Sequence, residues 1–171
     1  MKNVPALPAV LVVDDEVRSQ EALRRTLEED FTVFTASGAD EAMAIMEREQ
    51  GASGGKGVQV VLCDQRMPGT SGVAFLTEVR QRWPDVVRIV LSGYTEAGDI
   101  IAGINEAGIY QYLLKPWQPE QLLLTLKSAA NVWRLQQDNQ RLSLELRAAE
   151  PVLASKVEMK YERVKIGRAH V

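Results

Sequence analysis

The residues of this chain whose types and placement could do chemistry are Asp14, Asp15, Asp64, Ser92 and Lys115. Each site follows a mainly apolar run: residues 9–13 lead into Asp14-Asp15, 58–63 into Asp64, 86–91 into Ser92 and 109–114 into Lys115. Taken singly they say little, because an Asp or Ser after a strand is usually a helix cap or turn former. Taken together they make a pocket of three carboxylates, one hydroxyl and one ammonium. Three carboxylates in one cleft repel unless a cation sits among them. Hard oxygen donors with room for water suit Mg2+ better than zinc, and the single histidine, His170, lies far off in the tail. A carboxylate beside Mg2+ and a lysine is a site for phosphoryl transfer onto aspartate, the ammonium offsetting charge on the group being transferred. The hydroxyl then supplies a hydrogen bond that only the phosphorylated state can use.

The elements that must bring these residues together are legible as an alternation. The run Ala9-Val10-Leu11-Val12-Val13 is continuously apolar, as in a strand buried on both faces of a parallel sheet. Residues 17–29 have helical spacing, 31–36 are aromatic and β-branched, and a helix opens near Ala39-Asp40. Strands are predicted at 58–63, 86–91 and 109–114, with helices at 71–82, about 96–106 and from Pro119 onward. Five strand–helix units call for an α/β fold, a five-stranded parallel sheet with helices on both faces. The flavodoxin-like order 2-1-3-4-5 is expected, with the reactive residues at the carboxyl ends of the strands, where open sheets bind ligands.

Other features of the sequence are bland. The 171 residues carry 20 Lys and Arg against 23 Asp and Glu, a net charge of −3 that argues against nucleic-acid binding by this chain. No run approaches the roughly 18 apolar residues of a membrane span, no secretory core follows Met1, and the lone Cys63 fits a reducing, cytoplasmic setting. Cys63 itself sits within a predicted strand and reads as core packing, Trp133 as packing, and His170 as inert. The Gly-rich stretch 51–57 brushes a phosphate-loop pattern and fails it. Gln50 stands where a glycine is needed, Gly57 stands where Ser or Thr is needed, and a strand follows instead of a helix.

The runs Val10-Leu-Val-Val-Asp14-Asp15-Glu16, Val61-Leu-Cys-Asp64-Gln-Arg-Met-Pro68-Gly69, Val90-Leu-Ser92-Gly93-Tyr94 and Tyr112-Leu-Leu-Lys115-Pro116 resemble the receiver (CheY-like) domains of two-component response regulators. The resemblance spans about residues 8–130. It implies that Asp64 is the phosphoacceptor, taking its phosphoryl group from a sensor histidine kinase. Asp15 becomes a direct Mg2+ ligand, Asp14 a ligand acting largely through water, and Arg66 a donor of its backbone carbonyl. Ser92 and Tyr112 are then the switch pair, Lys115 the phosphate partner, and the Lys115-Pro116 bond is expected to be cis. Such a domain is not an enzyme beyond its own phosphorylation and dephosphorylation. Departures are mild: Ser92 stands where Thr is commoner, and Trp117 where Phe is frequent.

From Pro119 the helical pattern continues to about Ala149, where Pro151 is expected to close it. Val132, Leu135, Asn139, Leu142, Leu146 and Ala149 recur at spacings of 3, 4, 3, 4 and 3, a coiled-coil seam with Asn139 at an a position. A buried Asn there favours an in-register parallel homodimer. The expected organisation is a receiver at 8–130, a coiled-coil linker at 131–149 and a disordered, basic tail at 150–171. Within the family the resemblance is to receivers of NtrC-like hydrogenase-gene transcriptional regulators (HupR/HoxA-like), whose output domain is not in these residues. Receivers of cyclic-dinucleotide phosphodiesterases, which share a Lys-Pro-Trp run, are the alternative. An aspartyl-nucleophile phosphatase is a weaker one, since Asp14-Asp15-Glu16-Val17 lacks the Asp-x-Asp spacing.

Overall fold

The computed structural model describes residues 6–51 and 57–169, so most of the Gly-rich stretch lies outside the described residues. Five strands and five helices alternate: β1 (Ala9–Val13), α1 (Val17–Leu27), β2 (Thr32–Ala36), α2 (Ala39–Gly51), β3 (Val60–Asp64), α3 (Gly72–Arg82), β4 (Val87–Ser92), α4 (Ala97–Ala107), β5 (Gln111–Leu114) and α5 (Pro119–Ala169). The strands form one parallel sheet in the order β2-β1-β3-β4-β5. Predicted boundaries move by a residue or two, as at β3, which starts at Val60 and not at 58.

Strand alternation sorts the core into two layers. Leu11, Val13, Val61, Cys63 and Val90 point to a face covered by Ala42 and Met46 of α2, Phe75 and Val79 of α3, and Ile100 of α4. Val10, Val12, Val60, Leu62, Ile89 and Leu91 point to the opposite face, under Leu23 and Leu27 of α1 and Leu122 and Leu126 of α5. Because β1, β3 and β4 are covered on both sides, their sequences carry no polar alternation. Each fully buried Leu or Val contributes about 1.5–3 kcal/mol, and the site residues sit where these buried strands end.

One buried cation fixes the far end of α4. Arg88 of β4 donates to the carbonyls of Ala107 (2.8 Å) and Val86 (2.7 Å). Arg80 donates to those of Asn105 (2.6 Å) and Glu106 (3.0 Å). The carbonyls of Asn105, Glu106 and Ala107 are ones that the helix itself leaves open.

The chain divides into two compact units, Met1–Trp133 and Arg134–Val171. The structure corrects the expected helix end, because α5 runs through Pro151 to Ala169, where a stop at Ala149 and a disordered tail were expected. A proline inside a helix forfeits one hydrogen bond and crowds the carbonyl four residues back. The residues around it, among them Leu153, Ala154, Lys156 and Met159, are strong helix formers that carry the helix past that defect. His170 lies outside the described residues. No described helix is long and apolar enough to cross a membrane.

Candidate functional site

Asp14 directly follows β1, and its backbone N–H donates to the carbonyl of Ala36 on β2 (3.0 Å). Its Oδ1 accepts the N–H of Glu16 (2.9 Å), while Oδ2 is buried with no hydrogen-bond partner among the described residues. The amide of Gln20 braces this turn, donating to the Asp14 carbonyl (2.6 Å) and to the Ser37 hydroxyl (3.1 Å). Asp15, next in the chain, is exposed.

Asp64 is the last residue of β3 and is 5% exposed. Its Oδ2 accepts the Lys115 ammonium at 2.8 Å and its Oδ1 accepts the backbone N–H of Arg66 at 3.3 Å. Carboxylate oxygens of Asp14, Asp15 and Asp64 all lie within 4.8 Å of one another. Lys115 comes from the end of β5, where its N–H donates to the Ser92 carbonyl (2.8 Å) and its bond to Pro116 is cis.

The electrostatics follow from burial. Asp14 holds its proton more tightly than an ordinary carboxyl, first because it is removed from water and then because Asp64 and Asp15 are close. Burial alone would lower the Lys115 pKa, but the hydrogen bond and charge of Asp64, with Asp14 and Glu96 behind it, hold it above the usual lysine value. Cys63 is inert core: burial pushes its thiol well up, with the Asp64 charge adding to the shift.

An orphaned, buried carboxylate oxygen in a cluster of three hard-oxygen donors is the arrangement a divalent cation completes. Beside it the Asp64 carboxylate carries the Lys115 ammonium on one of its oxygens. The sequence over residues 10–127 matches the response regulator receiver domain family. The chain belongs to that family.

Named relatives agree with it. The receiver is 59% identical to the hydrogenase transcriptional regulatory protein HoxA of Cupriavidus necator over 151 residues, which is 88% of this chain and 30% of that protein. It is 51% identical to HoxA of Bradyrhizobium diazoefficiens over the same shares. The chain therefore spans about a third of the length of the curated relatives it matches. Among solved structures, a receiver domain protein from Clostridium thermocellum superposes with a TM-score of 0.69 at 30% identity, covering 76% of this chain and 99% of that one. NtrX from Brucella abortus superposes at 0.70 with 25% identity, covering 80% of this chain and 30% of that one.

The receiver brings together Asp14, Asp15, Asp64 and Lys115, as read from the sequence, and it sets Ser92 beside them. The Ser92 hydroxyl is fully buried and has no hydrogen-bond partner among the described residues. Tyr112 is not in contact with it through any hydrogen bond. It sits on β5 opposite Val90, two residues behind Ser92 in register, and is 42% exposed. Arg66 approaches through its N–H, and its side chain turns to Glu96, with Nε 3.1 Å from Oε1.

Sequence reasoning missed Gln20, Gly72 and Glu96. A Cβ on Gly72 would lie 2.5 Å from the carbonyl oxygen of Asp64 and 2.9 Å from the Cα of Gln65, so only glycine fits under the loop that carries Asp64. That loop is closed by bonds from the N–H of Gly72 to the Gln65 carbonyl (3.0 Å) and of Val73 to the Gln65 Oε1 (2.9 Å). The one local signal was Ser71, whose side chain caps α3 by accepting the N–H of Ala74 (3.1 Å).

Proposed function

We propose that this receiver takes a phosphoryl group from the phosphohistidine of a sensor kinase onto Asp64, and that the phosphorylated form controls an output domain. The observation that carries the reading is the Lys115 ammonium 2.8 Å from Asp64 Oδ2, with the carboxylates of Asp14 and Asp15 alongside. Asp64 Oδ1, held among the described residues by the long bond from the Arg66 N–H, is the oxygen that would attack phosphorus. As the new P–O bond forms, the P–N bond to the kinase imidazole breaks, and its electron pair leaves on the nitrogen. Lys115 then shares its protons with the phosphoryl oxygens, and the orphaned Ser92 hydroxyl gains its first acceptor. Drawing Ser92 toward the site opens space that Tyr112, on the neighbouring strand, can fill; this is the switch we assign to the pair.

Mg2+ fits the donor set, with Asp14, Asp15, Asp64 and the carbonyl of Arg66 as the residues that would hold it. When bound it would neutralise charge on the transferring oxygens. The identity to two HoxA proteins supports a transcriptional regulator of hydrogenase genes as the whole protein, acting as an activator. We take residues 8–130 as the receiver, 131–149 as a dimerising linker, and a second copy of this chain as its partner there.

The test is phosphorylation with acetyl phosphate and Mg2+. Wild type should take up one phosphoryl group that is absent from Asp64→Asn, and label retained on the Asn variant would overturn the assignment.

A further inference from the structure

Glu96 is an acid that the phosphorylation chemistry does not use. It stands at the entry to α4, four residues after Ser92, and only 11% of its side chain is exposed. Burying a carboxylate is costly unless it is bonded, and both of its oxygens are. Oε2 accepts the N–H of Gly93 at 3.0 Å, and Oε1 lies 3.1 Å from Nε of Arg66. Its charge also acts on the Lys115 ammonium.

These bonds join two segments that phosphorylation treats differently. Arg66 belongs to the loop that carries Asp64, and its own N–H touches Asp64 Oδ1. Gly93 is the residue directly after Ser92. The Arg66 side chain is 76% exposed, so its guanidinium has room to swing once the pair with Glu96 breaks. A phosphoryl group on Asp64 would place a stronger anion than a carboxylate within reach of that guanidinium.

We propose that Glu96 is a positioning residue in a charge-exchange latch. In the unphosphorylated chain it holds Arg66 away from the reaction site and, through Gly93, holds the Ser92 segment in place. On phosphorylation Arg66 exchanges the Glu96 carboxylate for the phosphoryl oxygens. Glu96, now an unpaired acid facing a new anion, gives up the Gly93 N–H and releases the start of α4. The far end of α4 stays clamped by Arg80 and Arg88, so the helix is freed at its N-terminal end. The inference rests on Asp64 being the phosphoacceptor.

The experiment follows the lifetime of the phosphorylated full chain, formed with acetyl phosphate and Mg2+, in wild type, Glu96→Gln, Arg66→Ala and the double variant. Gln keeps an acceptor for the Gly93 N–H but removes the charge that competes for Arg66. The lifetime should rise about two- to fivefold in Glu96→Gln and fall by a similar factor in Arg66→Ala, the size expected of a partly exposed charge pair. In the Arg66→Ala background the Glu96 substitution should have no further effect, because the acid acts through the arginine. Equal effects of Glu96→Gln in both backgrounds would overturn the latch, as would a Glu96→Gln lifetime equal to wild type. Absence of label on wild-type Asp64 would instead overturn the phosphoacceptor reading beneath it. Amide exchange of the wild type gives a second reading that needs no variant. Beryllofluoride with Mg2+ should strip protection from the Gly93 N–H and leave that of Lys115, and retained protection at Gly93 overturns the latch.

Discussion

Lys115 donates its backbone N–H to the carbonyl of Ser92 at 2.8 Å, while the hydroxyl of the same serine is buried without any partner. The main chain of Ser92 is thus locked against β5, and its side chain alone is left with an unmet need. An unsatisfied buried hydroxyl costs about 1–3 kcal/mol, and the fold retains it beside the group that phosphorylation would supply.

Ser92→Ala should therefore leave the unphosphorylated fold equally stable or more stable by up to about 1 kcal/mol, since it removes an orphaned polar atom from a buried site. The same variant should still accept phosphate on Asp64 but lose the accompanying change around Tyr112. Urea unfolding and tyrosine fluorescence before and after beryllofluoride addition check the two halves. A clear loss of stability in the unphosphorylated state would mean that the hydroxyl has a partner after all.

Asp14 carries the pH dependence. Burial, then the charges of Asp64 and Asp15, raise its pKa above the ordinary aspartate value of 3.8. A raised carboxyl means that the folded chain binds the proton more tightly than the unfolded chain does. Without divalent metal, the Asp14 contribution is most favourable below about pH 3.8 and is lost as pH rises through its folded pKa. Asp14→Asn should accordingly stabilise the metal-free receiver at neutral pH, with the gain shrinking toward zero in acid. In millimolar Mg2+ the order should reverse, because wild type gains stability by binding and the variant gains less. A stability difference independent of both pH and Mg2+ would contradict this.

Much of the site was legible because Asp14, Asp64 and Ser92 stand at the ends of strands buried on both faces, where a mainly apolar run such as Val10–Val13 marks its own end. Lys115 follows β5, a largely exposed edge strand, and was legible from the Lys-Pro pair that closes the run. Gln20 and Gly72 were not legible because each acts on backbone that the fold brings close from another element, and Glu96 because its ion-pair partner, the Arg66 side chain, comes from the loop after β3. Nothing in the Ser71-Gly72-Val73 stretch announces the Asp64 carbonyl 2.5 Å from a would-be Cβ. Pro151 departs from expectation for the opposite reason: the helix-forming residues on both sides outweigh the local tendency of proline to end a helix.

Gly72→Ala tests the closest of these approaches. The added methyl would meet main-chain atoms of Asp64 and Gln65 rather than the end of a flexible side chain. Relief requires the loop after Asp64 or the start of α3 to move. We expect a loss of about 1–3 kcal/mol, as for overpacking elsewhere in tightly packed interiors. Phosphorylation should also slow, because Asp64 moves relative to Lys115. Denaturant unfolding and the rate of acetyl-phosphate labelling are the measurements, and a variant with wild-type values in both would show that the loop adjusts freely.

The proposed self-association is tested at Asn139. In the single chain Leu135, Leu142 and Leu146 are 60%, 52% and 68% exposed, a run of large apolar side chains with no cover of its own along the seam. Pairing with a second copy would bury them, and Asn139 at an a position would select the parallel, in-register dimer, where the two amides can meet. Three heptads bury little area, so the isolated seam should associate weakly. The exposed side chains Ile101, Tyr112 and Leu114 of the receiver offer a further apolar surface. Asn139→Leu should then tighten association while blurring the oligomer number, because the residue that specifies two chains is gone. Truncation after Ala130 should weaken dimerisation by at least about tenfold, the effect of roughly 1.4 kcal/mol. Sedimentation equilibrium on the full chain, the Asn139→Leu variant and the truncation distinguishes these outcomes. Equal dimer constants for the full chain and the truncation would assign residues 132–149 to something other than self-association.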